Sequence, residues 1–140
     1  MALTQAEIDY LATQRLGRLA TVAPDGSPQV SPVGFRYNST LGTIDIGGYK
    51  MAASKKYRNV QAGSRAAFVV DDIASVEPWT VRGVEIRGEA EALTGQEPHF
   101  PGGSGDLIRI HPRRVLSWGV EPGRPGLYAR PVRVVHNAGQ

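Results

Sequence analysis

From Val84 to Ala92 the chain alternates strictly: Val84, Ile86, Gly88, Ala90 and Ala92 share one phase, and Glu85, Arg87, Glu89 and Glu91 the other. A period of two predicts an antiparallel strand with one wet face. Shorter strand-like runs cover Gly17 to Ala23, Gln29 to Tyr37, Thr43 to Gly47 and Arg65 to Asp71. Leu107 to Ile110 and Val115 to Gly119 read as two further strands interrupted at Pro112, and Arg133 to Val135 offers a last one. Pro24-Asp25-Gly26-Ser27 joins the first two runs as a hairpin, because proline fixes φ and glycine accepts positive φ. Asn38 to Gly42 turns the chain again. Thr4-Gln5-Ala6-Glu7 has capping-box spacing ahead of Ile8, Leu11 and Ala12 on one face, which predicts a helix over residues 5–14. A second helix is predicted over Met51 to Ala62, ending at Gly63. About six short strands and two short helices make the chain mainly β (α+β), a small antiparallel barrel whose closure leaves few edges exposed.

The bulk properties fit that reading. The 140 residues suit one domain, 1–140, and the 17 glycines and 10 prolines supply many turns. The absence of cysteine removes disulfides, thiolate zinc sites and cysteine nucleophiles. With no charged-then-apolar leader and no apolar run near ~18 residues, a soluble cytoplasmic protein with no membrane partner is expected.

Charge changes the picture more. The 25 residues from Ile46 to Val70 carry Lys50, Lys55, Lys56, Arg58 and Arg65 and no acid. The whole chain is formally +3, so the residues outside this window are net negative. A local cationic shelf where a strand passes through a diglycine into a helix is where a phosphorylated ligand is expected. Lys56 and Asn59 are spaced i, i+3, Lys55 and Asn59 i, i+4, and Ser54 sits one turn before Arg58. Lysine, a serine hydroxyl and an asparagine amide on one flank would suit a phosphate or a carboxylate tail. The competing reading is a solvated basic face, although faces kept for solubility usually mix both signs.

Other candidates are weaker. Arg82 shares the phase of Val84 and Ile86 and should point inward or sit at the barrel mouth; with Trp79 it could meet a planar anionic ligand, or simply pack on that ring. His99, His111 and His136 lack metal-ligand spacing, so no metal is expected. Asp71-Asp72 reads as the turn that closes a strand. Gly102-Gly103-Ser104-Gly105 lacks the lysine of a phosphate-binding loop. Phe35, Tyr37, Phe68, Trp118 and, loosely, Trp79 lie on predicted strands but are not interleaved with lysine or arginine as stacking platforms, so nucleic acid is not an expected partner. No acid–base pair or nucleophile elbow is found, and no catalytic residue is assigned. That silence fits chemistry carried by a bound organic cofactor.

GRLATVAPDGSPQVSPVGF, the strand–diglycine–helix segment with KKYRN, FVVDD, EIRGEAEAL and LIRIHPRRVLSWG, in that order, resemble the pyridoxamine 5′-phosphate oxidase-like FMN-binding split β-barrel family. Within it the chain is most similar to the branch that uses the deazaflavin coenzyme F-420. The resemblance implies a six-stranded antiparallel split β-barrel forming a homodimer, with cofactor sites at the subunit interface. It implies that the cofactor phosphate lies at Lys50, Ser54, Lys55, Lys56 and Asn59. The ring would lie along Gln29, Ser31, Pro32 and Val33 and at Ile46 and Gly47, with Trp79 and Arg82 reaching in from the other subunit. The chain lacks the C-terminal extension of true pyridoxamine phosphate oxidases, so pyridoxamine phosphate is not the expected substrate. A lysine-rich helix favours F-420, with its phosphodiester and oligoglutamate tail, over the compact dianion of FMN. The implied activity is hydride transfer to a conjugated, electron-poor double bond, with a proton from solvent, Tyr49 or Tyr37. The alternatives are an FMN-binding oxidoreductase of the same fold and a non-catalytic flavin, deazaflavin or haem binder.

Overall fold

The computed structural model describes residues 2–133. Its strands are β1 (Leu16–Val22), β2 (Pro28–Gly34), β3 (Arg36–Asn38), β4 (Thr43–Ile46), β5 (Ala66–Ser75), β6 (Thr80–Leu93), β7 (Leu107–Trp118) and β8 (Leu127–Pro131), with helices α1 (Gln5–Ala12) and α2 (Lys55–Gln61). One antiparallel sheet runs in the order β2-β1-β5-β6-β7-β4-β3, and β8 pairs with β7.

That order dictates the shape. β2 and β3 stand at opposite ends of it, yet Phe35 alone separates them in the chain. A sheet whose end strands are joined through one residue must curl until they meet. The predicted single strand from Gln29 to Tyr37 is therefore two, its first half paired with β1 and its second with β4. The corner residue Phe35 packs edge-on against Phe68 of β5, with ring centroids 5.2 Å apart. The result is a split β-barrel of eight strands rather than six. Leu19, Ile44, Ile46, Phe68, Val84, Ile86, Ile108 and Ile110 fill its interior.

Pro112 does not interrupt β7. Arg87 pairs with Arg114 and Gly88 with Pro112, so Arg113 is an extra residue and the strand absorbs the proline as a bulge. Gly88 makes this possible: a Cβ there would stand 1.8 Å from the His111 carbonyl oxygen. Gly88→Ala is expected to lower stability by about 2–3 kcal/mol, read as a fall in the urea midpoint with unchanged slope.

Asp71 and Asp72 lie inside β5, which continues to Ser75, rather than closing it. The last described strand is Leu127–Pro131, not Arg133 to Val135: Arg133 is outside any strand, and residues 134–135 lie outside the described residues. The capping box forms in both directions, Thr4 N–H donating to Glu7 Oε1 (2.8 Å) and Glu7 N–H to Thr4 Oγ1 (3.2 Å). The buried face of α1 is Glu7, Tyr10 and Leu11 rather than Ile8, Leu11 and Ala12. Glu7 is buried because Arg130 of β8 donates to both of its carboxylate oxygens, tying the first helix to the last strand. Among the described residues no helix is long and apolar enough to cross a membrane.

Candidate functional site

Past β4 the chain runs through Gly47 and Gly48 into a 3₁₀ turn, Met51–Ala53, and then α2. The predicted continuous helix from Met51 is thus two pieces, hinged where Ser54 takes an extended backbone as N-cap. The Ser54 hydroxyl donates to the Met51 carbonyl at 2.6 Å and accepts from Tyr57 N–H at 3.3 Å. It is engaged in building the junction. Asn59 is also not on the exposed flank with the lysines. It is 2% exposed, and its amide donates to Thr21 Oγ1 at 3.1 Å and Gln29 Oε1 at 3.3 Å. Asn59 lies with Tyr57 and Val60 on the buried face of α2, which packs on β1 and β6, and only its amide reaches Gln29 of β2.

What remains of the expected cluster is cationic. Lys50 and Lys55 are exposed and Lys56 is half-buried. Among the described residues none of the five cations between Ile46 and Val70 makes an ion pair. Seven arginines elsewhere, at 18, 82, 87, 109, 113, 124 and 130, all do. Eight of the 13 acids pair with cations outside the shelf. Asp25, in the turn between β1 and β2, feels the field of Lys55 without pairing with it, so the shelf keeps most of its positive charge.

The strand residues expected to hold a ring divide by pleat. Gln29, Ser31 and Val33 share the inner face of β2, while Pro32 is exposed on the outer one. Val33 and Ile46 are core residues, so their side chains contribute packing and only their backbone is available to a ligand. The Ser31 hydroxyl is buried and has no hydrogen-bond partner in the protein. It sits two residues along the same face from Gln29, which already meets α2 through Asn59. An orphaned buried hydroxyl on the strand that α2 reaches through Gln29 and Asn59, together with the cationic shelf, fits a polar ring with an anionic tail.

Gly47 lies on a cavity of about 470 Å3 at the end of β4, across from Gly34 at the end of β2. The loop between β6 and β7 folds back over it: Ser104 N–H donates to the Gly48 carbonyl at 2.9 Å, and Tyr49 stacks edge-on against Phe100 at 4.8 Å. His99 of that loop packs beside Gly47. Burial, with the positive field of Arg36 adding to it, pushes the His99 pKa down and so favours the uncharged ring. Sequence reasoning missed His99, Arg36 and Arg15 here, since only tertiary folding brings the loop, β3 and the end of α1 to one place.

Trp79 and Arg82 do not act as a pair within the protomer. Trp79 is 65% exposed near the turn between β5 and β6. Arg82 is held by Asp72, Nε to Oδ1 at 3.0 Å and Nη2 to Oδ2 at 2.6 Å, and its guanidinium lies over the Tyr10 ring, not over Trp79.

A curled antiparallel sheet with one partner-switching strand, and a cationic strand-to-helix junction beside it, defines a split β-barrel protein. The sequence profile described as pyridoxamine 5′-phosphate oxidase matches residues 3–119. The chain belongs to that family. It is 46% identical over 134 residues to the 5a,11a-dehydrotetracycline/5a,11a-dehydrooxytetracycline reductase of Streptomyces rimosus, covering 94% of each chain. Among solved structures it is similar to a conserved hypothetical protein of Mycobacterium tuberculosis (TM-score 0.66, 25% identity, 96% of this chain and 94% of that one). A Mycobacterium smegmatis protein described as FAD-binding shares the fold at TM-score 0.62 and 20% identity, covering 82% of this chain and 93% of the other.

Proposed function

We propose that this chain is an oxidoreductase that uses coenzyme F-420 to reduce a conjugated, electron-poor double bond. The observation that carries the proposal is the set of unpaired lysines at the strand–helix junction. FMN presents one compact dianion, for which one lysine and a few backbone donors suffice. Lys50, Lys55 and Lys56, none of which makes an ion pair among the described residues, suit a longer tail with several charges. The reductase named for the Streptomyces rimosus relative supports the redox class and an acceptor with conjugated rings.

A reduced deazaflavin, when bound, supplies a hydride. This chain's residues then have three tasks. The lysines hold the anionic tail, with Ser31 offering its hydroxyl to the ring. The diglycine lets the backbone pass close to the ring edge. Tyr49, anchored on Phe100 beside Gly47, is better placed than the half-buried Tyr37 to pass a proton to the acceptor.

The working form is proposed to be a homodimer with cofactor between subunits. The outer face of β1 and β2 carries Leu16, Val22 and Val30 at 64, 47 and 66% exposure, and Ile73 and Val81 extend it across β5 and β6. A second copy covering this face would remove these five apolar side chains from water around the Arg18–Asp71 ion pair that lies among them. Light scattering is expected to give twice the chain mass.

Turnover tests the activity. With reduced F-420 and a panel of enones, quinones and a dehydrotetracycline, the protein is expected to restore oxidised-deazaflavin fluorescence with at least one acceptor. Bound cofactor that no acceptor oxidises faster than the protein-free rate would contradict it.

A further inference from the structure

The cavity at the end of β4 is lined by cations and no acid. Arg15, Arg36 and His99 border it, Phe35 and Phe100 give it aromatic surface, and Gly47 forms part of its wall. Among the described residues neither arginine makes an ion pair, although seven others do. Asp45, the carboxylate whose field reaches His99, is held by Arg109 at 2.9 and 3.0 Å and has no charge to spare for the cavity. Two guanidinium groups around one concave space repel each other until an anion joins them. Lys50, Lys55 and Lys56 do not line this cavity, so it is distinct from the shelf assigned to the cofactor tail.

We propose that Arg15 and Arg36 make this cavity the acceptor site, specific for a planar molecule with two oxygens sharing one negative charge, either a carboxylate or an ionised 1,3-dicarbonyl. The inference rests on the reductase reading, which makes a small-molecule acceptor the occupant at this end of β4. A guanidinium fork matches two oxygens in a plane. The His99 imidazole adds a hydrogen-bonding ring nitrogen at the cavity wall, and the two phenylalanines give a flat conjugated system apolar contact. Gly47 borders the cavity and also ends the strand segment proposed for the ring, so an acceptor held here would lie beside the ring.

Calorimetry on the full-length, cofactor-free protein reads the site directly. The probes are 5-phenylcyclohexane-1,3-dione, ionised at neutral pH, trans-cinnamate, and the neutral 3-methoxy ether of the dione. Wild type is expected to bind at least one anion about tenfold or more tighter than the ether. Preference for the dione identifies the dicarbonyl as the source, and preference for cinnamate identifies the carboxylate. Arg15→Gln/Arg36→Gln should abolish the preference, while Arg114→Gln, an exposed arginine outside the cavity, should leave it intact. Absent or equal binding of anions and ether by wild type, or a preference that survives in the double variant, overturns the proposal. A parallel F-420 titration keeps the two readings apart. Retained F-420 affinity with lost anion preference in the double variant supports both, whereas wild type that selects anions but binds no F-420 sinks the F-420 reading and, with it, the acceptor role, leaving only the anion selectivity of Arg15 and Arg36.

Discussion

Asp45→Ala is expected to cost about 3–5 kcal/mol of folding stability, the loss that follows when one member of a buried ion pair is removed and the other stays. Asp45 is 1% exposed in the middle of β4. Arg109 of β7 meets it with Nε and Nη2, Asn38 donates to it at 3.0 Å and Thr43 at 2.9 Å. Alanine would leave the guanidinium facing apolar side chains where β3, β4 and β7 join. Burial opposes ionisation of Asp45, but the bonds from Arg109, Asn38 and Thr43 outweigh it and hold the carboxyl below the usual aspartate range. Its contribution is therefore present above the unfolded pKa near 4 and is lost as pH falls through the lower folded value. Glu7, bonded to Arg130 and Thr4, is shifted the same way despite burial. Urea unfolding across pH 7 to 3 should show stability declining below about pH 4 in wild type. The decline should be shallower in the Asp45 variant, and equal slopes would remove Asp45 as a cause.

Lys50→Gln/Lys55→Gln/Lys56→Gln is expected to weaken F-420 binding by about 100-fold or more at low ionic strength, since charge-assisted contacts contribute about 1.5–3 kcal/mol each. High salt should narrow the gap between variant and wild type, because it screens what the substitution removes. Stability should stay within about 0.5 kcal/mol, as none of the three side chains makes an ion pair among the described residues. Affinity unchanged by the triple substitution would remove the shelf from the cofactor site and return it to a solvated basic face.

The elements with strong local signals were legible from the chain. The capping box at Thr4, the β1–β2 turn and the alternation through β6 each combine a period with a stop signal, and each stands where expected. Partner switches were not legible. Gln29 to Tyr37 carries one period across Phe35 although its neighbours change there. Pro112 reads as a break because a bulge is built by the opposing strand, through Gly88. β8 has almost no buried face and so no period to detect. At the site, charge was readable and direction was not. The lysines are where their spacing put them, but Ser54 and Asn59 turned inward, because a serine can cap and an asparagine can bridge to Thr21 and Gln29 instead of meeting solvent. The arginines of the cavity at the end of β4 come from the link between α1 and β1 and from β3, with a loop histidine between, a grouping no linear spacing encodes.

The central claim is that the cationic junction recognises a long anionic tail and not a compact phosphate. Fluorescence titration of the purified protein with F-420 and with FMN, each at low and high salt, addresses it directly. Saturation by F-420 is expected at a concentration about 100-fold or more below that needed for FMN, with the difference shrinking as salt rises. Saturation by FMN at the lower concentration, with no F-420 bound, would contradict it.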